Sequence, residues 1–321
     1  MSHLVRCVAA VIALGTLAIH AQAQSKYPNR PIRLVIPFAP GGGTDLMVRL
    51  IGPTLTEVLG QPIVSDNRPG GGGSLGAGIA ASAPPDGYTL TIVSGSYGAN
   101  GALHDLPYDP VTGVTPIILI GTTPLVQTVH PKVPFKSVRE LIDHATAHPG
   151  KLNIASAGVG GLDHLASELF KLQTGANYTV VPYKGSGPAM TALVSGEVSG
   201  SMTTLVTSIP HVKAGRLRAL GVTTANRSRA LPDVPAIAET VPGYEVVHWY
   251  GMWGPKGLPR EIVLLWNREV AKALKTSATR KFLEDQGLEA AGGPPEEFAN
   301  RLRVDVAKWK KLVKEAKISV K

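Results

Sequence analysis

The stretch Ile32-Arg33-Leu34-Val35-Ile36-Pro37-Phe38-Ala39-Pro40-Gly41-Gly42-Gly43-Thr44-Asp45 decides the fold, because an apolar run passes through a glycine turn into a helical pattern. Residues 32–38 predict a strand and residues 44–60 a helix. Glycine lets the backbone approach a ligand closely, and a helix start carries unpaired N–H groups at the positive end of the dipole. We therefore expect an anion site here. The alternative is a tight turn in which Thr44 only caps its helix.

The same arrangement recurs at residues 153–164, where a strand, a glycine turn and a helix start follow one another. Ligands of open α/β sheets bind beyond the carboxyl ends of the strands, so the two loops are expected to face one cleft. Neither loop contains Arg or Lys. Binding would therefore depend on backbone N–H groups, helix ends, and the hydroxyls of Thr44 and Ser156.

Two further strand ends offer polar groups at the same sheet edge. Residues 94–97 supply the hydroxyls of Ser94 and Ser96, and residues 182–188 supply the phenol of Tyr183 and the ammonium of Lys184. At both positions a plain turn is the alternative interpretation.

Apolar runs of strand length alternate with helical patterns along the rest of the chain, which predicts parallel sheets with helices on both faces. Two long extended segments, residues 115–130 and 244–255, interrupt this alternation. They suit paired crossings between two lobes. The predicted division places lobe 1 at residues 25–122 and 248–321, and lobe 2 at residues 123–247.

The N-terminus has the pattern of a secretory signal peptide, residues 1–23. Arg6 precedes an apolar run, and Ala21-Gln22-Ala23 is a cleavage pattern. The run is too short to span a bilayer, so we expect a soluble, exported protein. Cys7 is the single cysteine, so the mature chain is expected to have no disulfide. A net charge of +9 on an exported chain favours attraction of anionic solutes and no nucleic-acid partner.

Residues 71–76, Gly-Gly-Gly-Ser-Leu-Gly, match two motifs of other protein classes. One is the nucleotide motif GxGxxG and the other is the GxSxG elbow of serine hydrolases. Both motifs need a strand running directly into the turn, and Pro69 and the glycine run do not supply one. We therefore expect no cofactor and no enzyme activity; an exported serine hydrolase using Ser74 is the alternative. The nine His residues contain no HExxH pattern, so no metal site is expected.

Taken together, the chain resembles the periplasmic substrate-binding proteins of the tripartite tricarboxylate transporter system, the Bug-type receptors. The resemblance covers essentially all of the mature chain. It rests on Tyr27-Pro28 and on residues 35–45, 66–70, 83–90, 106–110, 149–153, 181–185 and 231–235.

The resemblance implies two Rossmann-like α/β lobes hinged around a cleft, the type II or Venus-flytrap architecture of periplasmic binding proteins. It implies a monomer that binds a small carboxylate and delivers it to membrane permease subunits. Loops matching residues 38–45 and 156–164 would hold one ligand carboxylate. The candidate ligand-binding residues are Phe38, Pro40, Gly41, Gly42, Gly43, Thr44, Asp45, Ser94, Ser96, Tyr97, Ser156, Ala157, Gly158, Gly160, His164, Tyr183, Lys184, Thr203 and Thr204.

The chain departs from the family pattern at Thr203, where many members carry Asp. With Thr203 there, we expect no acidic partner for a ligand ammonium group. A dicarboxylate without an amino group is favoured, with aromatic ones such as the phthalate isomers among the candidates.

Overall fold

The computed structural model describes residues 27–315 and residue 318. The signal peptide predicted at residues 1–23 lies outside the described residues. Within them, no helix combines the length and the apolar character that crossing a membrane requires.

Strands and helices alternate along most of the described chain. The strands are β1 (Ile32–Ile36), β2 (Ile63–Asn67), β3 (Thr89–Ser94), β4 (Val114–Val129), β5 (Asn153–Ser156), β6 (Thr179–Pro182), β7 (Gly200–Thr204), β8 (Arg218–Val222), β9 (Val247–Pro255) and β10 (Glu289–Ala290). The helices are α1 (Gly43–Leu59), α2 (Ser74–Ala81), α3 (Ser96–Leu103), α4 (Val138–Ala147), α5 (Leu162–Thr174), α6 (Ser186–Ser195), α7 (Leu205–Lys213), α8 (Arg260–Lys275), α9 (Ser277–Asp285) and α10 (Pro295–Glu315).

Two parallel sheets are joined by an antiparallel pair of long strands. The strand order is β2-β1-β3-β9-β4-β7-β5-β6. Strand β1 pairs in parallel with β2 and β3, and β5 pairs in parallel with β6 and β7. Strand β9 is antiparallel to β3 and β4, and β4 is antiparallel to β7. This is the two-lobed α/β fold that the sequence predicts.

The two long extended segments of the sequence are strands β4 and β9. Residues 114–124 of β4 pair with β9, and residues 125–129 pair with β7 of the other sheet. Strand β9 begins at Val247; Tyr244, just before it, is buried and its hydroxyl donates to the carbonyl of Ala166 at 2.9 Å. This change of partner lies two residues beyond the boundary predicted from the sequence. We propose that the lobes divide near it, with residues 25–122 and 248–321 in lobe 1 and residues 123–247 in lobe 2.

Each sheet has its own hydrophobic core. Strand β1 is buried on both faces, as parallel strands covered by helices are, and its Ile32 and Leu34 pack in one core with Trp266 of α8. On the other side of the β4–β9 pair, Ile154 and Phe170 belong to a second core. Strand β3 of one sheet ends at Ser94 and strand β7 of the other ends at Thr204, and these two residues line one cavity, so carboxyl ends of strands from both sheets meet there.

Helices α2 and α3 are not predicted from the sequence, because glycine and small residues have low or ambiguous helix propensity. In helix α3, Gly98 leaves room for the neighbouring helix to pack closely. A Cβ built on Gly98 would lie 3.2 Å from Oδ2 of Asp305, on the facing side of α10. The residue that makes the segment look like a loop therefore allows the two helices to approach each other.

Candidate ligand-binding site between the two lobes

A cavity lies between the lobes, where strands of both sheets end. It spans about 380 Å³ including its opening toward solvent. No Arg or Lys is among the residues that form its wall. These residues are Phe38, Gly42, Gly43, Thr44, Ser94, Ser96, Leu125, Ala157, Asp163, Ser186, Thr203, Thr204, His248 and Tyr250.

In lobe 1, the turn between β1 and α1 is held by Asp45, which lies behind the cavity wall. Its carboxylate accepts the N–H of Gly41 at 3.0 Å and pairs with Arg49 at 2.8 Å. Burial raises the pKa of Asp45, and the bonds from Arg49 and Gly41 lower it; the net direction is down, so the group is ionised. Asp45 therefore shapes the loop. The cavity is lined by Gly43 and Thr44 at the start of α1, whose N-cap Gly42 has no side chain to cap the helix.

In lobe 2, the matching loop is organised by Asp163 near the start of α5. Its carboxylate accepts the N–H of Ala157, and burial raises its pKa to about 7 although backbone N–H groups oppose this. The side chain also lines the cavity. The wall therefore contains a carboxyl group that the residue at position 203 does not indicate; whether a ligand ammonium finds an acidic partner in the cleft stays a prediction. The absence of Asp at position 203 could not exclude one supplied by a helix start elsewhere in the chain.

Five helix starts of the described chain reach the cavity: those of α1 at Thr44, α3 at Ser96, α5 at Asp163, α6 at Ser186, and α7 at its N-cap Thr204. None of the five N-cap residues makes a side-chain capping bond. The first N–H groups of α5 are nevertheless bonded, that of Leu162 to Oγ of Ser96 at 3.1 Å and those of Asp163 and His164 to the Asp163 carboxyl group, so the starts of the other four helices remain for an anion. Away from the cavity, α4 and α9 are capped by Ser137 and Thr276, whereas α2 and α8 also have no side-chain cap. Uncapped helix starts present N–H groups and the positive dipole end, so their convergence makes an anion site without a side-chain cation.

The floor of the cavity is strand β9, which contributes His248 and Tyr250. Both side chains are buried, and neither Nδ1 of His248 nor the hydroxyl of Tyr250 has a hydrogen-bond partner. The Tyr250 hydroxyl lies against Gly43 and beside Thr204. Burial, and then the Arg301 cation, lower the pKa of His248 to about 3, so its imidazole is neutral.

Nine of the residues predicted from the sequence line the cavity: Phe38, Gly42, Gly43, Thr44, Ser94, Ser96, Ala157, Thr203 and Thr204. The others lie outside its wall: Pro40, Gly41, Asp45, Tyr97, Ser156, Gly158, Gly160, His164, Tyr183 and Lys184. Sequence reasoning missed Leu125, Asp163, Ser186, His248 and Tyr250. A polar pair two residues apart within an otherwise apolar strand was the available signal for His248 and Tyr250.

Several residues outside the wall have other partners. The Tyr97 hydroxyl donates to the carbonyl of Pro110 at 2.9 Å, and the Tyr183 hydroxyl donates to Glu197 at 2.8 Å. His164 accepts the N–H of Gly160 at 3.1 Å through Nδ1. Lys184 contributes its backbone, because its carbonyl accepts the N–H of Ala39 at 3.0 Å across the cleft.

A second contact across the cleft joins residues 70–73 of lobe 1 to residues 158–161 of lobe 2; we call it the glycine contact. The carbonyl of Gly72 accepts from Nδ2 of Asn100 at 2.7 Å. A Cβ on Gly72 would overlap the carbonyl of Val159 and lie 3.1 Å from the nitrogen of Gly161. Gly72 also has φ of 61°, which favours glycine. The two backbones can meet because Gly72, Gly158 and Gly161, which face one another, carry no side chain.

This placement also accounts for the motif at residues 71–76. A 3-10 turn, Gly71–Gly73, precedes Ser74, which is the first residue of α2. A nucleophile elbow requires a strand entering the turn, and here β2 ends at Asn67. Ser74 also lies outside the cavity wall. The geometry therefore does not favour a hydrolase.

Comparison with known proteins agrees with this geometry. Residues 47–318 match the model of the tripartite tricarboxylate transporter family receptor. Protein BugT of Bordetella pertussis is 34% identical over 325 residues, covering 100% of this chain and 99% of BugT. The solved structure of R. palustris Rpa4515 with adipate is 39% identical with a TM-score of 0.87, covering 91% of this chain and 99% of that one.

MatC from Rhodopseudomonas palustris, solved with bound malate, is 33% identical with a TM-score of 0.86, covering 89% of this chain and 100% of that one. The similarity therefore extends over both lobes and over the cavity between them. With its two-lobed fold and a full-length match to such relatives, the chain belongs to the tripartite tricarboxylate transporter receptor family.

Proposed function

We propose that this receptor captures a small dicarboxylate without an amino group in the cavity between its lobes, and delivers it to the permease subunits of a tripartite tricarboxylate transporter. The observation that carries the proposal is the convergence of four uncapped helix starts, those of α1, α3, α6 and α7, on a cavity whose wall, among the described residues, contains no Arg or Lys. Each helix start favours a nearby anion by about 0.3–1 kcal/mol, and by more when buried.

The hydrogen bonds that the Asp163 side chain already makes support a ligand without an amino group. Its carboxyl group bonds to backbone N–H groups of Ala157, Asp163 and His164. A carboxylate held in this way has little capacity left for an ammonium group, and a buried ammonium without a partner is costly. Adipate and malate, the ligands bound in the two solved structures named above, have no amino group.

Calorimetry with a panel of acids tests the proposal. The panel holds succinate, adipate, malate, citrate, glutamate, aspartate, benzoate and the three phthalate isomers. At a free ligand concentration of roughly 100 times Kd, the bound acid stabilises the fold by about 2.7 kcal/mol, so a thermal shift should accompany binding. Binding of glutamate or aspartate with no binding of the unaminated dicarboxylates would refute the proposed ligand class.

We further propose that the protein acts as a monomer whose lobes close on the ligand by a hinge motion of β4 and β9. Solution scattering with and without the best ligand of the panel tests closure. The radius of gyration should fall on saturation, and the mass from forward scattering should stay that of one chain.

A further inference from the structure

The floor strand β9 carries two buried polar groups that line the cavity: Nδ1 of His248 has no hydrogen-bond partner in the described chain, and the Tyr250 hydroxyl has the Thr204 side chain beside it. Tyr250 is 1% exposed and His248 is 4% exposed, and both rings face the cavity with centroids 4.8 Å apart. Leaving a buried donor or acceptor unpaired costs roughly 1–3 kcal/mol, so such groups in native structures usually meet a partner. Trp249, between them, points to the opposite face and donates to Asp305 at 2.6 Å, so its polar group needs nothing from a ligand.

The two groups lie beside different helix starts. The Tyr250 hydroxyl contacts Gly43 at the start of α1 and lies beside Thr204 at the start of α7. The backbone of His248 lies next to the start of α3, since a Cβ on Gly95 would be 3.7 Å from its Cα. A small acid lying along the floor would therefore meet the hydroxyl with one end and the imidazole with the other.

We propose that β9 recognises the two ends of the ligand separately: the Tyr250 hydroxyl donates to the carboxylate at the start of α1, and the His248 imidazole hydrogen-bonds to the second polar end. His248 is then the residue that distinguishes a dicarboxylate from a monocarboxylate. This assignment rests on the proposed function, because it assumes that a carboxylate occupies the cavity.

A neutral imidazole suits this role better than a cation would. It offers one N–H donor and one acceptor nitrogen, so it can bond a carboxylate oxygen or a hydroxyl of the ligand. Because the ring stays neutral, it adds no net charge that would hold any anion equally well. Selectivity then follows from whether a polar atom stands at the right place along the floor.

The test pairs two substitutions with two pairs of acids. His248→Leu removes the polar atoms at similar volume, and Tyr250→Phe removes only the hydroxyl. The acids are adipate with hexanoate, and succinate with butanoate; each pair has equal carbon number and differs by one carboxylate. Tyr178→Phe is the matched control, because its buried hydroxyl donates to Ser167 at 3.1 Å, outside the cavity wall.

Calorimetry on the intact mature chain should give distinct patterns. In Tyr250→Phe, both members of a pair should weaken by a similar factor, roughly 10-fold for a lost bond to a charged group. In His248→Leu, the preference for the dicarboxylate over its monocarboxylate should fall about 10-fold, with the monocarboxylate Kd nearly unchanged. The control should match the wild type.

A preference that is unchanged in His248→Leu, or a Kd that weakens equally for both acids, would overturn the assignment of His248. If the wild type binds none of the unaminated dicarboxylates of the panel, the proposed function fails instead, and the two failures are thereby distinguished. Nitrogen NMR of the imidazole gives a second readout. The His248 ring signals should shift with adipate and stay in place with hexanoate.

Discussion

Replacing Gly72 with Ala perturbs the glycine contact and leaves the ligand wall untouched. Gly72 has φ 61° and ψ 17°, and Gly60, at the end of α1, has φ 65° and ψ 16°. An alanine in this left-handed conformation costs about 1–2 kcal/mol wherever it occurs. Gly60→Ala is therefore a closely matched control, since a Cβ there would meet nothing within 4 Å.

The two variants differ in what the new methyl group meets. At Gly72 it would overlap the carbonyl of Val159 and crowd Oδ1 of Asn100 at 3.2 Å. Val159 belongs to the other lobe, so this overlap exists only when the cleft is closed. Overpacking of this kind costs about 1–3 kcal/mol, which corresponds to a Kd about 5- to 150-fold weaker.

The assay combines calorimetry with the tightest-binding acid and chemical denaturation without ligand. Gly72→Ala and Gly60→Ala should lose similar unfolding free energy, while only Gly72→Ala should bind the acid more weakly. The reasoning is refuted if the two variants have equal ligand Kd, because the glycine contact would then contribute nothing to the bound state.

Three further predictions concern the cavity wall. In Gly43→Ala the new Cβ overlaps the Tyr250 hydroxyl, so carboxylate binding measured by calorimetry should weaken about 10-fold or more. Gly52→Ala lies in the same helix and its new Cβ would meet nothing within 4 Å, so this control should bind the acid as the wild type does. Equal affinities of the two variants would contradict the prediction. Thr203→Asp places a second negative charge in the cavity wall beside the ligand carboxylate. At a separation of roughly 6 Å and an effective dielectric constant of about 20, the repulsion costs about 3 kcal/mol, which weakens Kd about 100-fold. Thr203→Asn adds no charge, so its loss of affinity should be much smaller. Because burial raises the pKa of Asp163 to about 7, the folded state favours its protonated form, so its contribution to stability is present at low pH and is lost as pH rises through about 7. Carboxylate affinity should fall as the pH rises through about 7 and Asp163 ionises, while His248 and Tyr250 stay neutral. Asp163→Asn should flatten the pH dependence of both stability and affinity, and an affinity that rises from pH 6 to pH 8 would disprove the assignment.

The loop at residues 38–45 could be placed from the sequence because its strand, turn and helix start are consecutive, and the helix start fixes where the N–H groups point. Direction within a helix could not be predicted in the same way. Ser96 lines the cavity and its neighbour Tyr97 bonds to Pro110, because successive residues of a helix point about 100° apart. The sequence does not predict that α3 is helical, so it could not choose between them.

His248 and Tyr250 were missed for a different reason. The sequence predicts that their segment is extended and apolar. Its position under the cavity, however, depends on pairing with Thr123 and Gly121 of β4, which lie more than a hundred residues earlier in the chain. Asp163 belongs to the loop that the sequence indicates, yet it is not among the candidate ligand-binding residues. Its role depends on how the loop folds back on Ala157, which spacing alone does not determine.

The uncapped helix starts have a consequence for how the specificity of such a receptor can change. In the proposed site the first carboxylate is held by main-chain N–H groups together with the Tyr250 hydroxyl, and only a substitution by proline deletes a main-chain N–H. The second end of the ligand, in contrast, meets the side chain of His248, which a single substitution can exchange. Random mutagenesis restricted to position 248 should therefore yield variants with new preferences for the second end of the ligand that still require a carboxylate, which makes this scaffold a starting point for sensors of different organic acids.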